Sequence, residues 1–303
     1  MTELTPVAPF PVDIESEPKQ AAQHNTKDKL RKVLTPLAAV QKYSAYTFGV
    51  FLGIHACSVI VVPSLPEFVA SPQAKQEVFE MARAVYHHIP GYEAIGVVGA
   101  ALVHVISGVA IRIIRQQFKR KKAHPQPRHP SPDVVKDETS GDIGLGGLTA
   151  LLGMGYRRSI ISRYVPGLSP LAFSGYVLLP LALYHVAKFR LLPASVDGDS
   201  ALVSLDYISY YLNVSRWGKW GNTINTWLLL ALVWTMAYHS VSGWLRFNHK
   251  YSLSWKKAGY AVIGTVTTLA AVAVMGFKDR FHLLDKAGFM ARSFTKYAKA
   301  ALW

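Results

Sequence analysis

Apolar and polar positions in this chain do not alternate; they come in blocks. Five long apolar blocks run from about Tyr43 to Pro63, Ala94 to Ile114, Leu171 to Ala187, Thr226 to Leu245 and Ala258 to Phe277. About twenty apolar residues in helical conformation cross the hydrocarbon of a bilayer. Each block is therefore expected to be a membrane-spanning helix. Between the first and second blocks, Ser71-Pro72 reads as a helix start, with a serine cap and a first-turn proline, and predicts a short surface helix ending near Pro90-Gly91. Between the third and fourth, LVSLDYISYYL reads as a helix lying at the interface, with Trp217 and Trp220 as anchors. Ile143 to Gly155 is Gly-rich and apolar but too short to cross.

The blocks repeat. YSAYTFGVFLGIH ends at His55 and FSGYVLLPLALYH at His185, so that Pro36 aligns with Pro166, Ser44 with Ser174 and Tyr46 with Tyr176. HVISG begins at His104 and HSVSG at His239 in the blocks that follow. The expected fold is an all-α polytopic membrane helix bundle, made of a duplicated helix pair, a fifth helix and short interfacial helices. Its parts are a disordered cytosolic arm with a Pro-x-Pro motif (1–40), a first helix pair (41–115) and a basic cytosolic linker (116–168). A second helix pair (169–247), the fifth transmembrane helix (248–280) and a basic amphipathic tail (281–303) follow.

Composition supports a membrane protein: half of the 303 residues are hydrophobic. The formal net charge of +15 lies in the loops. Lys27, Lys29, Arg31, Lys32 and Lys42 flank the first span, Arg115 to Lys122 follow the second, and Arg246, Lys250, Lys256 and Lys257 separate the fourth and fifth. The opposite loops carry Glu67, Glu77, Glu80 and Glu93, then Asp197, Asp199 and Asp206. The positive-inside bias places the N-terminus in the cytosol. With five spans the basic tail then lands on the far side, where the residues offer one account, an amphipathic tail lying on anionic lipid. Zinc-finger spacing and aromatic-rich basic ribbons are missing, which argues against nucleic acid. Acids at Glu3, Asp13, Glu15 and Glu17 argue against a cleaved presequence. Cys57 is the single cysteine, so no intramolecular disulfide forms.

His55, His104, His185 and His239 lie one to a span. Polar groups inside a membrane are expensive and usually face a bundle interior. Judged by distance from the charged flanks, His104 pairs in depth with His239 and His55 with His185. Two imidazoles facing each other are a standard way to hold a haem iron from both sides. One or two b-type haems are the expected cofactor. Gly108 and Gly243 sit one turn from their histidines and would let a flat porphyrin approach. The plainer alternatives are core histidines with satisfied hydrogen bonds, and a His-x-x-Ser-Gly that marks close helix packing. Other metals are disfavoured, because the spans hold no carboxylate. No catalytic serine signature is present, and an enzyme is not expected.

The N-terminal segment holds Leu4, Val7, Pro9 and Pro11, an apolar-x-x-apolar-x-Pro-x-Pro pattern. Such a segment is preorganised in an extended conformation and docks into a groove at little entropic cost. By composition alone it could equally be an ordinary proline-containing tail.

A five-span bundle with histidines on its first four helices resembles the haem-bearing anchors of succinate dehydrogenase and fumarate reductase. Together with the Pro-x-Pro arm, the chain resembles the fungal mitochondrial outer-membrane adaptors of the mdm-ten-complementing family. That resemblance implies recruitment of a VPS-thirteen bridge-type lipid-transfer protein through Leu4, Val7, Pro9 and Pro11, a place in the mitochondrial outer membrane at organelle contact sites, and possible phospholipid scrambling. The competing expectation is a di-haem b-type cytochrome, or quinone-linked anchor, of a redox complex.

Overall fold

Three serines set where helices begin. Ser71, Ser169 and Ser204 each accept a hydrogen bond from the backbone N–H three residues on (Ala74, Ala172 and Tyr207), at 3.2, 3.2 and 3.3 Å. Such a cap satisfies one of the donors that every helix start leaves unpaired. Pro72 and Pro170 follow two of these caps in the first turn, where a missing N–H costs nothing.

The computed structural model describes residues 16–121, 145, 169–284 and 288–300. All regular structure among the described residues is helical. The helices are α1 (Ser16–Ala56), α2 (Pro72–His88), α3 (Ala100–Lys121), α4 (Pro170–Val186), α5 (Leu192–Asp197), α6 (Leu205–Asn213), α7 (Gly218–Phe247), α8 (Leu253–Asp279) and α9 (Phe289–Ala300). Among the described residues, five stretches are long and apolar enough to cross a membrane: Leu30–Val61, Tyr92–Phe118, Pro170–Asp197, Gly218–Phe247 and Leu253–Leu283. They cover the five apolar blocks of the sequence but for Val62 and Pro63 at the end of the first.

π-Helical segments follow at Cys57–Val61 and Ala187–Leu191. The Val62 N–H reaches the Cys57 carbonyl, and the Leu192 N–H the Ala187 carbonyl, each closing a wider turn. His55 and His185 stand two residues before these segments, so the repeat read from sequence is repeated in the backbone. A third π-helical segment, Tyr92–Gly99, leads into α3.

The chain divides into two compact units, residues 1–49 with 93–126, and residues 50–92 with 127–303. In the second unit α7 packs against both α4 and α8, and α6 packs on α7 and α8. Phe79, Leu205, Tyr211, Leu212, Ala273, Val274 and Phe277 form its main core. Polar contacts tie the short elements together. Gln76 Oε1 accepts from the Leu205 N–H at 3.0 Å, and Arg83 donates to the carbonyls of Ala201 and Val203 at 2.8 and 3.0 Å. The Lys75 ammonium donates to the carbonyls of Pro63 (3.2 Å) and Leu65, just beyond the end of the first span.

Two expectations change, and the reading of the interfacial helix gains detail. The arm expected to be disordered through residue 40 is helical from Ser16, and α1 runs without a break into the span. Pro18 lies in the first turn of α1, and only Pro36 falls inside it, so the segment has few helix breakers. The helix expected at the interface is α6, and it is mostly buried: Leu205, Tyr207, Ser209, Tyr211 and Leu212 are all inside. Alternating tyrosines resemble an interfacial pattern, yet here other elements cover them. Finally, the amphipathic tail does not lay its apolar face on lipid. α9 packs that face, Ala291, Phe294 and Tyr297, against α5 and α6. Tyr297 OH donates to Asp197, and the hydroxyls of Tyr210 and Thr295 share a hydrogen bond of 2.9 Å. The linker residues 122–144, the Gly-rich stretch apart from Leu145, and Leu4, Val7, Pro9 and Pro11 lie outside the described residues.

Candidate functional site

His55 ends the regular part of the first span and His185 that of the third. Their ring centroids stand 6.0 Å apart, with ring planes at 72°. Phe51, one turn before His55, stacks on it at 5.4 Å, and Phe189, one turn after His185, lies at 4.8 Å. Tyr86 meets Phe51 edge-on at 5.2 Å, and Tyr211 meets Phe189 at 5.0 Å. The two imidazoles are thus set in an aromatic sleeve. The Nδ1 atom of each is buried with no hydrogen-bond partner among the described residues. Leaving a buried polar group unpaired costs about 1–3 kcal/mol. Two such atoms on adjacent rings are the feature here that packing does not explain.

Two neighbouring imidazoles with unpartnered ring nitrogens are a donor set that suits a haem iron. Either imidazole nitrogen can serve as ligand, and ligation would satisfy one orphaned atom on each ring. His55 and His185 would be the holders.

His104 and His239 are held differently. His104 Nδ1 lies 3.1 Å from the Gln41 carbonyl oxygen, so it donates there. His239 Nδ1 lies 3.1 Å from Ser174 Oγ. That hydroxyl already donates to the Leu171 carbonyl at 2.7 Å, so His239 donates to it. In both rings Nδ1 is therefore the donor of this contact, the arrangement by which a second hydrogen bond orients a metal-ligating histidine. The two clamps are repeats of one another. Ser44 donates to the Gln41 carbonyl at 3.1 Å just as Ser174 does to that of Leu171. One clamp belongs to each unit.

The glycines differ as well. A Cβ on Gly108 would come within 2.7 Å of the Gln41 side-chain nitrogen, so its missing side chain makes room for that amide. A Cβ on Gly243 would meet nothing within 4 Å. The close approach falls instead at Gly175, where a Cβ would stand 3.1 Å from Cε1 of His239. In the two His-x-x-Ser-Gly motifs, the Ser107 hydroxyl returns to the His104 carbonyl at 3.1 Å, while Ser242 Oγ is buried without a hydrogen-bond partner among the described residues.

The sequence reading passed over Gln41, Gly175, Phe51 and Phe189, and gave Ser174 no role beyond the repeat. Ser174 carried a signal, its alignment with Ser44. Gln41 carried none, because the atom used on His104 is a backbone oxygen that any residue supplies. Among the described residues no group of three or more His, Cys, Asp or Glu side chains could hold a metal ion.

Residues 50–159 and 180–292 match the family described as MDM10-complementing protein 1, transmembrane domain. The chain is 25% identical over 295 residues to the mitochondrial adapter protein MCP1 of Saccharomyces cerevisiae, covering 91% of this chain and 90% of that protein. No solved structure matches. The matched residues take in three of the five spans whole and parts of the first and third, with all four of the histidines in question, and the chain belongs to the MDM10-complementing protein 1 family.

Proposed function

We propose that this chain is a mitochondrial outer-membrane adaptor whose N-terminal arm captures a bridge-type lipid-transfer protein at an organelle contact. The observation that carries the reading is the pattern Leu4-x-x-Val7-x-Pro9-x-Pro11 on a chain whose yeast relative is named a mitochondrial adapter protein. The VPS-thirteen class of partner comes from the family resemblance. The spans anchor the arm, with its N-terminus on the cytosolic side. Helix α1 begins five residues after Pro11 and continues into the first span, so the motif rides on a helical stem. Lipid delivered to one leaflet must be shared with the other, and scrambling by the embedded helices is part of the same reading.

A groove that reads two prolines and two apolar side chains binds with a Kd on the order of micromolar unless a second contact adds avidity. Pro9→Ala with Pro11→Ala is expected to abolish recruitment of the partner to mitochondria while the chain itself remains membrane-integrated. Unchanged recruitment, scored by microscopy of the tagged partner, would sink the proposal.

A second reading concerns the bound group, and the two unpartnered Nδ1 atoms favour it. His55 and His185 hold a haem b. Bound there, haem supplies a rigid link between α1 and α4 and an iron capable of one-electron exchange. The residues around it orient the two rings by stacking and exclude water. Purified protein, expressed with ample haem supply, is expected to show a sharp reduced α-band that weakens in His55→Ala/His185→Ala. A colourless protein leaves the histidines as packing residues and the adaptor reading intact. Quinone-linked electron transfer by the purified protein would instead favour the cytochrome alternative.

A further inference from the structure

The C-terminal helix α9 spends its apolar face inside the protein: Phe294 and Tyr297 are 1% and 0% exposed. What remains outward is a ridge. Phe289, Arg292, Lys296 and Lys299 are all exposed, at spacings of three, four and three residues, which places them along one side of the helix. An ordinary solvated face mixes charges of both signs. Residues 288–300, GFMARSFTKYAKA, contain no acid at all. An exposed aromatic ring heads the ridge and three cations continue it.

Depth argues for lipid as the occupant. α9 begins at Phe289, close in sequence to the end of the fifth span at Leu283, and it packs on α5, the end of the third span. Leu283 at the end of the fifth span is 67% exposed and Phe289 61%. Trp217 and Trp220, at the start of the fourth span, are likewise exposed beside Arg216 and Lys219. Exposed tryptophans at span ends mark the headgroup level of a bilayer. A row of cations at that level meets phosphate-bearing headgroups.

We propose that the outward ridge of α9 is a binding surface for anionic phospholipid. Phe289 enters the acyl boundary and Arg292, Lys296 and Lys299 pair with headgroup phosphates. Each cation near a negative membrane surface strengthens binding roughly fivefold, and the effect fades within a Debye length. The surface places a cationic patch on the side of the membrane where the positive-inside bias does not call for one.

The test uses the full chain in liposomes, with Cys57→Ser and Phe289→Cys to carry a single bimane label. Quenching is compared between doxyl-labelled phosphatidylglycerol and doxyl-labelled phosphatidylcholine. At low salt, stronger quenching by the anionic lipid is expected. The preference should vanish in Arg292→Gln/Lys296→Gln/Lys299→Gln, and with the three cations intact at about 1 M salt, where the Debye length is about 3 Å. The salt arm needs no substitution beyond the labelling pair, so it stands even if the triple variant folds poorly. Equal quenching by both lipids would reduce the ridge to ordinary apolar contact and overturn the proposal. Quenching by neither would place the helix clear of the bilayer and also overturn it.

Discussion

Lys75 shows how single residues are used in this protein. It is 7% exposed, and its ammonium is held by the carbonyls of Pro63 and Leu65. Those oxygens lie just past the end of a helix, where no intrahelical donor reaches. Burial pulls its pKa below the ordinary lysine range, Arg280 adds to that, and Glu67 opposes it. Lys75→Met keeps the stem and removes the donors, leaving two carbonyls unpaired. A loss of about 1–3 kcal/mol is expected, seen as an earlier thermal transition in detergent. Lys75→Arg should recover part of it. At this scale the sequence was partly legible. His55 and His185 could be paired because their spacing from charged flanks reports depth. The partners of His104 and His239 could not be read, because one is a backbone carbonyl and the other a serine whose role depends on a neighbouring helix.

Elements were more legible than residues where they cross lipid, because a bilayer demands an unbroken apolar run and leaves little choice. Short elements between spans were read less well. Ser71-Pro72 announced α2 correctly, since capping chemistry is local. The π-helical segments gave no compositional sign, because a wider turn needs no special residue. α6 was read as a helix at the interface, but its burial against α7 and α8 was not read, because those elements come later in the chain. That burial has a measurable result. The phenols of Tyr207 and Tyr211 on α6, and of Tyr297 on α9, are all pushed upward. Burial is the first cause in each case. Tyr297 and Tyr184 add to it for Tyr207, the Tyr184 hydroxyl for Tyr211, and Asp197 for Tyr297. Above the ordinary phenol value of about 10, the folded chain keeps protons that the unfolded chain releases. The stabilising contribution is therefore complete below about pH 10 and is lost as pH rises further. An ultraviolet titration should show a class of tyrosines that ionises only when the protein unfolds, and the melting temperature should fall over that range. A single phenolate transition near the ordinary value would contradict the buried arrangement of α6.

On the proposed topology, the five spans found among the described residues make an odd crossing number and put the two ends on opposite sides of the membrane. In sealed mitochondria, added protease should remove an epitope placed before Met1 and spare one placed after Trp303. Removal of both, or neither, would require a different span count. The duplication was legible at this scale because four aligned special residues survive in each half. The division into two compact units was not, since nothing in the linear pattern marks Gly49 or Glu93 as a boundary. The docked position of α9 bears on how the protein is made. Its Phe294 and Tyr297 complete a core with Val203 and Tyr207, yet they are translated after all five spans found among the described residues. Until they arrive, that core lies open, however many spans have already been inserted. Biogenesis of this chain therefore has a closing step that follows insertion, and a premature stop just before Phe289 would release a protein with its spans inserted and its cap unroofed.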